Sequence, residues 1–511
     1  MKVKQKFAGR NCELCCASLM ICAVMLFAPR VTGQSEQTAA AYTAMQERIR
    51  TLSDAVDRLQ AQVQQSQHEL AELKEQLASL RTSAGLIAVP DAGQSQPAGA
   101  ADLAVAVAEL REAQAMQATQ IATLDQAKVE TASKYPLKLS GMIVMNGFVN
   151  TRRMDVAATP TVALSGSGST GVSVRQTIIG LDVNGPNVFG ARTHGDLRLD
   201  MNAAASGSGY SGGYTLGLLR LRTAHVDLNW DRTQAFFALD RALLSPETPS
   251  SLTAVAEPAL AWSGNLWAWN PQAGISYNVL TTRASALRTQ AALIDVVDPP
   301  PLFSTTQSGT YAPPSTSELS RWPGVEGRIA YEDVHQDSGL RLGVSGYFAP
   351  HRTSSVVYKF DSWAGAADFQ VPVSRYTQFS GSAYWGSALG GLGAGAYKDY
   401  VARSSGGEFY YRVLDDHGGW VQWKQKTGEQ LEFNEAFGID NVPAGQLRPY
   451  AFTTPVSYYN LTRNRTFTGN VIYSPSAYLL FSLEYRRIMS SYVTAPTMSG
   501  DVIGVGAGYK F

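Results

Sequence analysis

Between Ala191 and Asn202 the chain alternates without a break. Ala191, Thr193, Gly195, Leu197, Leu199 and Met201 fall on one face, and Arg192, His194, Asp196, Arg198, Asp200 and Asn202 on the other. A period of two puts the two sets on opposite sides of a β-strand. Val325, Gly327, Ile329 and Tyr331 alternate in the same way with Glu326, Arg328 and Glu332, and Leu340, Leu342, Val344, Gly346 and Phe348 with Arg341, Ser345 and Tyr347. A soluble β-sandwich also alternates, but its segments are usually shorter, and this many would demand two domains. In a transmembrane barrel the apolar face meets lipid and the polar face a watery lumen, in strands of about 9–11 residues or more. Composition agrees. Charged residues are only 16% of the chain, against about 25% in ordinary soluble domains. Lys plus Arg and Asp plus Glu balance at 42 each, so bulk charge does not hold this chain to nucleic acid.

The hairpins follow from the breaks in the pattern. Short turns are expected at Asn184–Phe189, Asn229–Arg232, Leu280–Ala284, Asp333–Ser338, Gln370–Ser374, Asp415–Gly418 and Ser474–Ser476. Longer connections are expected at 151–172, 203–216, 241–270, 298–322, 350–355, 389–405, 429–457 and 491–500. Short turns and long loops alternate, which gives about 16 antiparallel strands with both ends on the short-turn side. Leu431–Phe437 reads as either strand or loop. The chain closes on Ile503, Val505, Ala507, Tyr509 and Phe511, alternating with Gly504, Gly506, Gly508 and Lys510. A last strand ending on an aromatic residue is the usual ending of bacterial outer-membrane proteins. Closure is also required, since an open sheet edge is not tolerated in lipid.

The N-terminal part is of a different kind. Lys2, Lys4, Lys6 and Arg10 precede an apolar run from Leu14 to Ala28, and Val31-Thr32-Gly33 offers small residues for cleavage. Residues 1–33 therefore read as a signal peptide. All four cysteines, Cys12, Cys15, Cys16 and Cys22, lie inside it, which leaves the rest of the chain no thiolate chemistry and no disulfide framework. Across 34–82 a heptad runs with Ile49, Val56, Val63, Leu70 and Leu77 at a, and Leu52, Leu59, Leu73 and Leu80 at d, broken only by Ser66. Such a narrow apolar stripe suits the seam of a coiled coil. Residues 83–101 form a flexible linker rich in Ala, Gly, Pro, Ser and Gln. A second, weaker helical segment spans 102–134 and ends at Tyr135-Pro136. The barrel is assigned to 135–511. The fold class is thus an all-β transmembrane barrel preceded by a periplasmic α-helical coiled coil.

This architecture resembles the trimeric porins of the DcaP-like family. The local matches are Leu137-Lys138-Leu139-Ser140-Gly141 opening the barrel, Arg175-Gln176-Thr177-Ile178-Ile179-Gly180-Leu181 in the second strand, and Leu219-Arg220-Leu221-Arg222-Thr223-Ala224-His225-Val226 in the fourth. Where the family usually continues its fifth strand with a Gly-Gln-Thr-like sequence, this chain has Phe237-Ala238-Leu239-Asp240. The resemblance implies a homotrimer in the outer membrane of a Gram-negative-type bacterium.

No catalytic motif, metal-ligand spacing or cofactor motif appears in the sequence. A lone lumen histidine such as His194 or His225 reads as a polar wall residue rather than a ligand or base. The chemistry lies in the arginines. Outward register of the apolar face points Arg192, Arg198, Arg220, Arg222, Arg328 and Arg341 inward, and arginine holds its charge and forks onto carboxylates and phosphates. An arginine wall favours small anions. The alternative is that these residues pair with Asp196, Asp200, Asp227, Asp240 and Glu326 and brace the wall. The register slips near Ala224, which reads as a β-bulge. In the long loop 241–270, Trp262, Trp267 and Trp269 offer a surface for sugar rings or aromatic solutes if the loop folds inward, and an interfacial belt or trimer contact otherwise. The expected function is passive diffusion of small polar, anionic solutes through a bilayer-spanning porin. The alternatives are a sugar or aromatic-solute channel, and a structural barrel whose coiled coil tethers the cell wall or a periplasmic partner.

Overall fold

The computed structural model describes residues 137–203, 218–281, 285–296, 298, 314–333, 339–353 and 358–511. The signal peptide, coiled coil, linker and second helical segment lie outside the described residues.

The alternating segments become the staves of a closed wall. Strand β1 (Leu137–Met154) is paired along one edge by β2 (Ala163–Ser173) and then by β3 (Ile178–Val188), so these two occupy one wall position. The wall continues through β4 (Ala191–Ala203), β5 (Leu218–Asn229), β6 (Thr233–Arg241), β7 (Trp269–Thr281), β8 (Ser285–Ile294), β9 (Gly324–Asp333) and β10 (Arg341–Arg352). It passes next to β11 (Lys359–Pro372) and β12 (Thr377–Ser387). A small hairpin, β13 (Tyr400–Ser405) and β14 (Glu408–Val413), stands apart from it. The wall resumes with β15 (Asp415–Thr427), β16 (Leu431–Asn441), β17 (Leu461–Tyr473), β18 (Leu479–Tyr492) and β19 (Met498–Lys510). Every neighbouring pair is antiparallel, and β19 closes on β1 from Met142↔Lys510 to Asn150↔Val502. The 17-stranded sheet therefore has sixteen staves, because β2 and β3 share one.

The wall is apolar outside and polar inside. On β9, Val325, Ile329 and Tyr331 are 43–52% exposed while Glu326 and Arg328 are buried. On β18, Phe481, Leu483 and Tyr485 face out while Ser482, Glu484 and Arg486 are buried. This inversion suits a barrel in lipid, where a charge at mid-membrane on the outer face would cost about 2–4 kcal/mol.

Two sequence expectations are corrected. Asp415–Gly418 is not a turn. It starts β15, and Leu431–Asn441 is a full strand, so the short turn lies at 428–430 and the long loop at 442–460. The Arg175-Gln176-Thr177 segment interrupts its stave, with all three side chains buried. The expected bulge is present: Arg198 faces Thr223 while Leu199 faces Leu221, which leaves Arg222 as the extra residue.

Buried apolar clusters collect in and beneath the long loops. One joins Leu244 and Leu266 of the third long loop (242–268) to Leu389 and Leu392 of the sixth (388–414) and to Tyr347 and Tyr384 of the wall. Another joins Val162, Trp262, Tyr397, Val442 and Leu447, and so four loops.

Candidate functional site

The third loop turns into the barrel and is fastened around its inner surface. Leu243 N–H donates to Glu326 Oε2 on β9 (2.7 Å), and Glu247 pairs with Arg341 on β10. Ser250 N–H donates to Gln422 Oε1 on β15 (2.6 Å), while Asn470 on β17 donates to Ser250 O (2.8 Å). Ser251 donates to Glu484, and Arg486 to Thr253 Oγ1 (2.8 Å), both wall partners lying on β18. Val255 and Ala256 N–H both donate to Gln176 Oε1, at 2.8 and 2.7 Å. The interruption between β2 and β3 thus has a use: it turns a wholly buried Gln side chain onto the loop.

The wall is shaped to receive this loop. Gly264 has φ +100, and a Cβ there would run into the Gly419 and Ile439 carbonyls. Gly438 on β16 lies against the Ser263 carbonyl with no room for a side chain. The inward glycines of the last strand seat Leu252 and Thr253, which would lie 3.2–3.4 Å from a Cβ at Gly504 or Gly506.

The sixth loop locks this arrangement from above. Its Gly395 and Ala396 N–H groups donate to Asp416 (2.8 Å) and Asp440 (2.7 Å) on the wall. Lys398 is buried and donates to the carbonyls of Ala396, Tyr458 and Leu461 at 2.6–3.0 Å. Burial pushes the Lys398 ammonium down to about 7, against the pull of Asp440 and Asp416. Burial, helped by Asp298, pushes the Asp399 carboxyl up to about 7, although Gly390 N–H donates to it at 2.7 Å. Leu260 and Trp262 in the third loop, and Ala388, Ala396 and Tyr397 in the sixth, hold positive φ without being glycine. Residues in such regions cost of order 1–3 kcal/mol each and persist where packing over-determines them. Here the stacking of Trp262 on Tyr397, ring centroids 3.8 Å apart, joins the two strained loops.

Most of the arginines expected in the lumen stand in ion pairs. Arg198 pairs with Asp182 (2.7 Å). Arg220 forks onto Asp200, a fully buried carboxylate, at 3.0 and 2.8 Å, and also donates to Ala256 O. Arg222 donates to Val255 O and stands 3.9 Å from Asp200. Arg328 is buried in a fork onto Asp368 with Glu332 as a further partner. Arg341 holds Glu247. Arg192 stands exposed at the turn end of β4, with no ion-pair partner among the described residues. Arg198, Arg220, Arg328 and Arg341 are thus paired with Asp182, Asp200, Asp368 and Glu247, of which Asp200 alone was among the expected partners.

The three tryptophans of the third loop pack on one another and on neighbouring side chains. Trp262 is buried under Tyr397 and meets Trp267 edge-on at 5.7 Å. Trp267 meets Trp269 edge-on at 5.3 Å. Trp269 carries the guanidinium groups of Arg220 and Arg222 at 5.0 and 4.9 Å from its ring centre, a cation–π contact.

Because the loops press on one side, the lumen is asymmetric. Inward residues of β16–β18 such as Asn434, Asn470 and Glu484 are buried. Across the lumen, Arg198 and His194 are each 31% exposed and Asp240 38%. A cavity of about 310 Å³ opens there, lined by Asp196, His225, Asp227, Asp240, Arg241 and Gln290 among others. Sequence reasoning missed this His/Asp wall as a unit. Its one signal was His194 and Asp196 sharing the polar face of β4.

No family model matches the chain, and no curated protein matches it. Among solved structures, the outer membrane channel DcaP of Acinetobacter baumannii is similar with a TM-score of 0.54 and 15% identity, over 74% of this chain and 97% of that one. The anion-selective porin from Comamonas acidovorans gives 0.43 and 12%, over 74% and 100%. Pseudomonas putida OprB gives 0.45 and 10%, over 77% and 96%. The chain has the fold of the DcaP channel: a closed antiparallel barrel of sixteen staves.

Proposed function

We propose that the protein is an outer-membrane porin, a passive diffusion channel for small polar solutes. One observation carries this reading: a barrel apolar outside and polar inside whose third loop is fastened to the inner wall, leaving charged side chains of β4 and β6 open to water. A purely structural barrel has no need of an exposed charged wall opposite a fixed loop. The similar fold of DcaP, an outer membrane channel, supports the same class. A homotrimer would rest on the heptads of 34–82 as a periplasmic coiled coil. An anion preference would rest on Arg192 and Arg222, the two expected arginines not closed onto a carboxylate within 3.5 Å, rather than on all six. The test is swelling of liposomes loaded with the full chain. Small neutral sugars should enter at rates that fall steeply with size. Swelling no faster than in protein-free liposomes would leave the tethering barrel as the better reading.

A further inference from the structure

The staves β3 to β5 bring together side chains that the sequence scatters. Asp182, His194 and Asp196 each offer one ligand atom, and these atoms lie within 4.8 Å of one another. We propose that these three residues bind a divalent transition-metal ion of the zinc class on the open wall of the lumen.

The register supplies the first argument. Asp182 and Asp196 stand directly opposite each other on β3 and β4. Like charges in that position repel. Arg198 offsets Asp182 through Oδ1 at 2.7 Å, with Ser140 donating to Asp182 Oδ2 at 3.2 Å, and His225 offsets Asp196. His225 reaches Asp196 Oδ1 at 2.8 Å, and no protein donor to Asp196 Oδ2 is found among the described residues. Asp196 Oδ2, across from Asp182, is therefore the oxygen left open to an ion.

The imidazole supplies the second. His194 Nδ1 lies 3.5 Å from Asp227 Oδ2, a carboxylate outside the three. Metal-ligating histidines almost always turn their second ring nitrogen to such an outer partner, which fixes the ring and raises its basicity. Nε2 is then left to the ion.

The ligand set supplies the third. Zinc takes His and carboxylate ligands at about 2.0–2.2 Å in a tetrahedron, so two ligands of one ion stand about 3.3–3.6 Å apart. From within 4.8 Å, rotation of the side chains about their χ angles must close the set by about an ångström. Magnesium and calcium demand six or more oxygens and gain little from an imidazole. The site is partly exposed to the lumen, so water can complete the coordination.

The binding does not depend on conduction, so the test separates the two. The untagged, exported chain, freed of residues 1–33 and their cysteines, is titrated calorimetrically in detergent with ZnCl2 and, separately, MgCl2. One saturable zinc per chain is expected, with no comparable magnesium binding. His194→Gln should weaken zinc binding at least about tenfold, and Asp227→Asn about tenfold through the outer shell. His417→Gln, a histidine held by Asn441 elsewhere in the barrel, should leave it unchanged. Equal zinc affinity in His194→Gln, or equal binding of magnesium, overturns the proposal. Should His194→Gln lose the heat-modifiable mobility of a folded barrel, X-ray absorption of the zinc-loaded wild type decides. A shell containing an imidazole nitrogen near 2.0–2.1 Å supports the site, and an all-oxygen shell overturns it.

Discussion

Replacing Arg220 with Gln should release the third loop while leaving the barrel folded. Arg220 makes two charge-assisted bonds to Asp200 and a third bond to Ala256 O, and it lies over the Trp269 ring. It therefore joins wall to loop. Asp200 is fully buried, and stripping the partner from a buried pair costs about 3–5 kcal/mol. Arg220 itself is 27% exposed and Arg222 remains 3.9 Å from Asp200. Both reduce the loss, so about 2–3 kcal/mol is expected. The loss falls on local docking of the loop rather than on the sixteen-stave wall, since such units open separately from the whole. A free energy of that size makes the undocked loop about 30- to 150-fold more populated, by the relation between energy and population. Limited proteolysis of the folded barrel should then cut within 242–268 faster by that factor, and single-channel noise should rise. Arg220→Lys keeps the charge but loses the fork, so it should fall between. Cleavage and noise unchanged in Arg220→Gln, with a lowered anion-to-cation permeability ratio, would refute this reasoning. The arginine would then act on solutes and not on the loop.

Gly438→Val should displace the third loop, because the new side chain meets the Ser263 carbonyl; faster cleavage of 242–268 in a barrel that keeps its heat-modifiable mobility checks it. Docking of the sixth loop should be weakest near pH 7. Native Asp399 holds its proton up to about 7 against 3.8 when unfolded, so its contribution is lost as pH rises across that window. Native Lys398 loses its proton at about 7 against 10.5, so stability rises with pH above 7. Asp399→Asn should flatten the acid limb in a proteolysis–pH profile, and a profile identical to wild type would contradict the assignment. A chain starting at Tyr135 should still fold, since the described wall begins at Leu137 and closes on itself; loss of heat-modifiable mobility on gels would contradict this.

The wall was legible in the sequence because each stave must satisfy lipid and water at once, and period two records that demand residue by residue. The pattern on β4 and β9 predicted the outward and inward faces correctly. It failed where inward residues answer to loops instead of to water. Asp415–Gly418 looks like turn chemistry, yet Asp416 is buried to receive Gly395 N–H, and Gly419 lies beside the third loop. Arg175-Gln176-Thr177 looks like continuous strand, yet Gln176 turns inward to hold Val255 and Ala256. The roles of Trp262 and Arg220 depend on where a distant loop lands, and no local period encodes that. The glycines alternating in the last strand were visible, but their use as a seat for Leu252 and Thr253 follows only once the third loop is in place.

The most direct test of the account is the conductance of the full chain in a planar lipid bilayer. A fixed loop beside a water-accessible wall predicts discrete, stable open levels, arriving in groups of three if the chain is a trimer. It also predicts that the levels grow when Gly438→Val displaces the loop. A folded, inserted protein that shows no open level would contradict the claim that this barrel is a channel.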